Sequence, residues 1–157
     1  VTAADKPADE KPVALADYPL VIALPVQWGD QDAFGHVNNV VYFRWFESAR
    51  IAYIQQAGIE YSEGGTGVGP ILATINCHYR RQLNFPDTVH VGSRIGRLGR
   101  SSMTVHHAVF SESQGQLVAD GDSVVVLFDY AAGRPVRIPD DLRRQIEAFE
   151  GRKLDDE

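Results

Sequence analysis

The sequence predicts an α+β domain in which a five-stranded antiparallel sheet wraps one long buried helix, with a short second helix near the C-terminal end. Three observations predict it. Residues 40–57 have helical character, and apolar side chains (Val40, Val41, Phe43, Trp45, Phe46, Ala49, Ile51, Ala52, Tyr53, Ile54) cover nearly the whole circumference. A helix apolar all round belongs in a core rather than on a surface. Four stretches after residue 70 read as strands, several alternating apolar and polar, with turn residues between them, which is the pattern of an antiparallel meander. One further strand-like run precedes the helix. The order β, α, four β, α shows no internal repeat and packs as one sheet layer on one helix layer. A chain of 157 residues fits a single domain with a sizeable core.

Each element follows from local signals. Residues 1–17 are rich in Pro, Ala and charge and contain no aromatic residue, so a disordered tail is expected there. This stretch has no apolar h-region and does not read as a signal peptide. Tyr18–Trp28, "YPLVIALPVQW", is the first strand, and Pro25 within it implies an edge position or a bulge. A polar loop, "GDQDAFGHVNN", leads into the helix. Asn38 or Asn39 is the expected N-cap, and Gly58 the residue that ends the helix. Residues 61–70, "YSEGGTGVGP", lack the Gly-Lys-Ser/Thr of a phosphate loop and read as a flexible connection. Strands are expected at 70–81, 88–99, 102–112 and 117–130, with Pro86-Asp87 breaking the chain after the first and "SESQGQ" forming the turn at 111–116. "PDDLRRQIEAFE" is the short helix, with Pro139 at its start and Asp140 or Asp141 as cap. The domain is thus expected over 18–150, followed by an acidic tail at 151–157.

Charge narrows the function classes. The net charge of −6 is concentrated at the ends, with −2 over residues 1–17 and −3 over 147–157. The near-neutral body has no basic footprint for nucleic acid. No apolar run reaches the roughly 18 residues of a membrane span. The single cysteine, Cys77, cannot form an internal disulfide and fits a reducing, cytoplasmic setting. It reads as a structural thiol on a strand. His78, His90, His106 and His107 have no metal-ligand spacing, so no metal and no cofactor are expected. His106 and His107, being adjacent on a strand, should face opposite ways. No Gly-x-Ser-x-Gly occurs, which argues against a serine hydrolase.

The polar loop carries the chemistry. "WGDQDAFGHVNNVVYFRWFESAR" resembles the opening motif of the hotdog-fold acyl-CoA thioesterases of the 4-hydroxybenzoyl-CoA thioesterase family. "FPDTVHVGSRIGRLGRSSMTVHHAVF" and "LVADGDSVVVLFD" resemble its middle and last strands, so the likeness covers roughly residues 20–148. It implies a hotdog fold and hydrolysis of acyl-CoA to CoA and a carboxylic acid. It implies Asp32 as the catalytic carboxylate, nucleophile or general base, and the Asn39 backbone N–H as the oxyanion donor. The physical case is parallel. Thioester hydrolysis needs a nucleophile or base beside the carbonyl and a donor for the developing oxyanion. A helix N-terminus provides unpaired N–H groups and positive potential.

Other residues take places around these two. Gly35 permits the sharp bend between them, and with the capping Asn38 it is placed among the substrate-binding residues. His36 orients Asp32, donates to the thioester, or caps the turn. The resemblance favours a general acyl group over 4-hydroxybenzoyl, since aromatic-substrate members often have an apolar residue in its place. Asp30 reads as structural. Glu47 reads as a solvated helix residue paired with Arg44 or Arg50, and as the next carboxylate should Asp32 prove inert. The acyl group is expected beside the helix at Tyr42 and Phe46. CoA phosphates suit Arg80 and Arg81, with Arg94, Arg97 and Arg100 as further basic candidates, and Ser101 and Ser102 face the nucleotide by resemblance. The open edge of such a sheet predicts self-association as a dimer or tetramer. The rival readings are a hotdog hydratase acting on enoyl or hydroxyacyl thioesters and a non-catalytic acyl-CoA-binding module.

Overall fold

The computed structural model describes residues 11–61 and 67–154. Seven strands are present among them: β1 (Leu20–Pro25), β2 (Val68–Ile75), β3 (His78–Tyr79), β4 (Thr88–Leu98), β5 (Ser102–Ser111), β6 (Gln116–Asp129) and β7 (Arg134–Pro135). The two helices are α1 (Asn39–Gln56) and α2 (Asp140–Glu150). All strand pairs are antiparallel, and the five long strands run in the order β1-β4-β5-β6-β2. The short β3 and β7 add to β6. The sheet curls around α1, which packs on β1 and β4. This is the hotdog arrangement expected from the sequence.

β1 lies at an edge, so Pro25 removes no ladder hydrogen bond that another strand needs. The expected strand over 70–81 is interrupted. Asn76 N donates to Asp122 O, and the Asn76 side chain accepts from Asp122 N, so this residue replaces regular pairing. Gly121 makes room for it, because a Cβ there would collide with the Asn76 carbonyl. Chain direction changes at this point and delivers β3 towards the start of α1.

Helix α1 begins as expected: the Asn38 side chain accepts from Val40 N at 3.0 Å. It ends at Ala57, with Gly58 at φ +70° just beyond. Its burial is one-sided, however. Val41, Tyr42, Trp45, Phe46, Ala49 and Tyr53 are buried, whereas Val40 and Ile51 are 61% and 44% exposed. The expectation of burial all round is therefore corrected: the apolar second face stays open in a single chain. In α2, Pro139 rather than an aspartate occupies the cap position. Asp140 and Asp141 fall in the first turn, where the helix dipole favours acids, and Asp140 pairs with Arg137 at 3.0 Å.

Described residues of both expected tails pack on the domain. Residues 13–15 form a 3-10 turn and Leu15 is wholly buried, its side chain close to Gly92. Leu154 is buried in the main core, and Leu154 N donates to Glu147 Oε1. One apolar side chain in each segment finds a docking place that charge composition does not reveal. Residues 1–10 and 155–157 lie outside the described residues, as does most of the glycine-rich connection, residues 62–66.

Candidate active site

The loop between β1 and α1 is clamped at its base. Asp30 is 4% exposed; its Oδ2 accepts from Gln27 N at 2.8 Å and its Oδ1 from Arg44 Nη2 at 2.7 Å. Its carbonyl accepts from Asn38 N. Asp30 is thus structural, as expected. Arg44 is claimed by Asp30 rather than by Glu47, and Arg50 donates to Ser123 Oγ. The expected Glu47 pairs are therefore corrected; Glu47 is exposed and bears on Arg50 only through its charge.

Above the clamp, residues 31–37 fold back on themselves. Asp32 N donates to His36 O at 2.8 Å, Gly35 N to Asp32 O at 3.1 Å, and Gln31 bridges to Val37. Gly35 has φ +79°, the left-handed conformation that a side chain disfavours. Asp32 Oδ1 accepts from Phe34 N at 2.9 Å, an Asx turn that fixes the carboxylate. Oδ2 has no partner among the described residues and is free for chemistry.

A helix leaves four N–H groups without intrahelical acceptors at its N-terminus, and their fate in α1 singles out one. Asn38 N reaches Asp30 O, Val40 N reaches Asn38 Oδ1, and Val41 N reaches Asn38 O. Asn39 N has no acceptor among the described residues. Its own peptide carbonyl, that of Asn38, is polarised by Val41 N–H, which strengthens Asn39 as a donor.

Asp32 and Asn39 line one cleft of about 310 Å³, together with His36, Tyr42, Arg80 and Arg81. Six of the residues read from the sequence therefore converge. Gly35 and Asn38 shape the site through the backbone, the one as bend and the other as cap. His36 Nδ1 is buried without a hydrogen-bond partner among the described residues. Arg80 is held in a two-point ion pair with Asp120 at 2.9 and 3.2 Å, whereas the exposed Arg81 has no ion-pair partner among the described residues.

Three expected contacts are absent. Phe46 is wholly buried and stacks on His107 at 4.5 Å, so it lines no part of this cleft. Ser101 and Ser102 lie at the turn between β4 and β5, where their carbonyls accept from Leu127 N and Gly99 N, away from Asp32. Arg94 stacks over Tyr18 at 4.8 Å, on another part of the molecule.

Tyr79 is a site residue that the sequence reading missed. Its hydroxyl donates to Asn39 O at 2.9 Å, and its ring meets Tyr42 edge-on at 5.0 Å. Burial, and then the neighbouring Cys77, push the Tyr79 hydroxyl up to about 12, so it remains a donor at neutral pH. The signal available in sequence was its place directly before Arg80-Arg81. Burial likewise pushes the Cys77 thiol up to about 11, in keeping with an inert structural thiol. No cluster of metal-binding side chains occurs among the described residues.

A curled antiparallel sheet around one central helix defines a hotdog domain. The chain belongs to the thioesterase-like superfamily, whose family model matches residues 26–146. It is similar to a solved thioesterase from Thermus thermophilus, complexed with coenzyme A and Zn. Identity there is 35%, covering 88% of this chain and 99% of that one, with a TM-score of 0.78. A second similar structure, a thioesterase-like protein from Pseudomonas aeruginosa, shares 33% identity over 82% of this chain and 98% of that one, with a TM-score of 0.73. The long-chain acyl-CoA thioesterase FadM of Escherichia coli is 25% identical over 116 residues, which is 74% of this chain and 88% of that protein.

Proposed function

We propose that this protein hydrolyses acyl-CoA thioesters to free CoA and a carboxylic acid. The observation that carries the reading is the pairing, in one cleft, of the free Asp32 Oδ2 with the one unclaimed N–H of the α1 N-terminus, Asn39. The thioester carbonyl oxygen accepts from Asn39 N–H, which stabilises the negative charge of the tetrahedral state. Asp32 attacks the carbonyl carbon or takes a proton from the attacking water; both roles use the same oxygen in the same place. The C–S bond then breaks: where Asp32 acts as base, the proton it took from water passes to the departing thiolate; where it acts as nucleophile, water afterwards hydrolyses the acyl-Asp32 anhydride and supplies the proton. Arg81 and Arg80, at the same cleft, suit the phosphates of CoA.

The motif supports placement near the 4-hydroxybenzoyl-CoA thioesterases, with His36 favouring a general acyl group over the aromatic one. The apolar face left open on α1 and the exposed Val68, Ile71 and Leu72 on the edge strand β2 support pairing of two copies. A cytoplasmic setting accords with the single unpaired thiol. A panel of short, medium, long and aromatic acyl-CoA esters, followed by thiol release, tests the reading. Turnover of at least one class is expected; none across the panel would refute it.

The unpartnered His36 Nδ1 in the same cleft favours one rival, hydration of an enoyl thioester. Hydration of crotonyl-CoA without thiol release would replace hydrolysis by that reading.

A further inference from the structure

A second cleft, of about 610 Å³, opens between the distal half of α1, the sheet and α2. Its wall is largely aliphatic, with Ile54, Val105, Val125, Leu127 and Leu142 among its residues. One cation interrupts it. Arg50 stands eleven residues after Asn39 on nearly the same helix face, about 16 Å further along the axis at 1.5 Å per residue. Arg50 itself lines the cleft, and its Nη1 is anchored on Ser123 Oγ at 3.0 Å, a hydroxyl wholly buried in the sheet.

The Arg50 charge has no ion-pair partner among the described residues; exposed Glu47, one turn earlier on α1, bears on it only through its charge. The Ser123 hydroxyl also meets His107 Nε2 at 2.9 Å, and burial holds His107 neutral, its pKa pushed down to about 3. Glu60 and Asp141 also line the cleft, but both are solvent-exposed and screened. Leaving a half-buried cation without a partner opposes folding, and an anion that docks on it removes that cost. Of the five guanidinium N–H groups, Ser123 engages one.

We propose that this cleft is a second binding site, which takes a free aliphatic carboxylate with its chain on the aliphatic wall and its carboxylate on Arg50. The alkyl end of a thioester bound at Asp32 has no charge to offer a guanidinium. The two clefts also share no lining residue, and Phe46, on the turn between them, packs flat against His107. The occupant is therefore a separate molecule, of the class of the acid that thioester hydrolysis would release. The site itself rests on Arg50 and its surroundings and does not depend on the proposed reaction.

Calorimetric titration with decanoate, below its micelle concentration, tests the site. Decanoate is expected to bind at least about 10-fold more tightly than decan-1-ol, in line with a charge-assisted contact. Arg50→Met should weaken decanoate by at least about 10-fold, and Asp32→Asn should leave it unchanged. Equal affinity for acid and alcohol, full binding by Arg50→Met, or no binding of decanoate at about 1 mM would overturn the proposal. Loss of binding in Asp32→Asn would also overturn it, by placing the ligand in the first cleft. Should Arg50→Met fail to fold, the comparison of acid with alcohol on the unaltered protein decides.

Discussion

Acidification should destabilise this protein through one residue, His107. Its ring is 1% exposed, stacked on Phe46 and bonded at Nδ1 to Ser93 Oγ (2.7 Å) and at Nε2 to Ser123 Oγ (2.9 Å). Burial, then the positive charges of Arg50 and His106, lower its pKa from 6.5 to about 3. In the unfolded chain the same ring takes a proton below about pH 6.5. Between these values the unfolded state binds more protons, so stability falls as pH falls. The contribution is intact above about pH 6.5 and is lost progressively towards pH 3. The limiting slope is about 1.4 kcal/mol per pH unit, so moving from pH 6 to pH 4 costs about 2–3 kcal/mol from this group alone. Urea unfolding at half-unit pH steps measures it, with His107→Gln as the comparison, since Gln keeps hydrogen-bonding capacity without titrating. The wild-type curve should be steeper than the variant's by about 1 kcal/mol per pH unit across this window. Parallel curves for the two proteins would refute the reasoning.

Two further substitutions test the scaffold of the first cleft. Asp30→Asn puts an amide NH2 against either Gln27 N–H or Arg44, removing one charge-assisted bond; a loss of about 2 kcal/mol is expected, seen as a fall of about 4–8 °C in Tm. Tyr79→Phe removes the hydroxyl's bond to Asn39 O and its contact with the Cys77 thiol. Because Tyr79 is 45% exposed, stability should change by less than about 1 kcal/mol, while kcat in acyl-CoA hydrolysis falls several-fold as the first turn of α1 loses its tether.

Local chemistry and the overall arrangement were readable from the sequence; which side chains meet across the fold was not. The Asn38 cap, the Gly58 terminus and the Gly35 bend depend on residues a few positions apart, so the β1–α1 loop and the helix bounds emerge where their signals stand. The apolar content of α1 predicted burial all round, because it does not distinguish a core-facing from an open apolar stripe. Tyr42 and Phe46 share the inward face by helical spacing; only the placement of His107, on a distant strand, decides that Phe46 is sealed and Tyr42 reaches a cleft. The break after β2 depends on Gly121, more than forty residues downstream of Asn76. That break is also what brings Tyr79 to the start of α1, so its role had no local signature. Arg44 has Glu47 within reach by helical spacing, and the folded loop brings Asp30 to it instead. Leu15 and Leu154 show the same limit at the chain ends, where composition describes the segment and one side chain defeats the description.

In the proposed reaction Asp32 performs thioester hydrolysis beside the Asn39 N–H. Steady-state hydrolysis of the best acyl-CoA of the panel by Asp32→Asn tests it most directly, because the amide keeps the Oδ1 acceptor for Phe34 N–H and changes only the reacting oxygen. The account predicts a kcat lower by at least about 100-fold, with KM and Tm little changed. A variant that hydrolyses the ester at near the wild-type rate would contradict it.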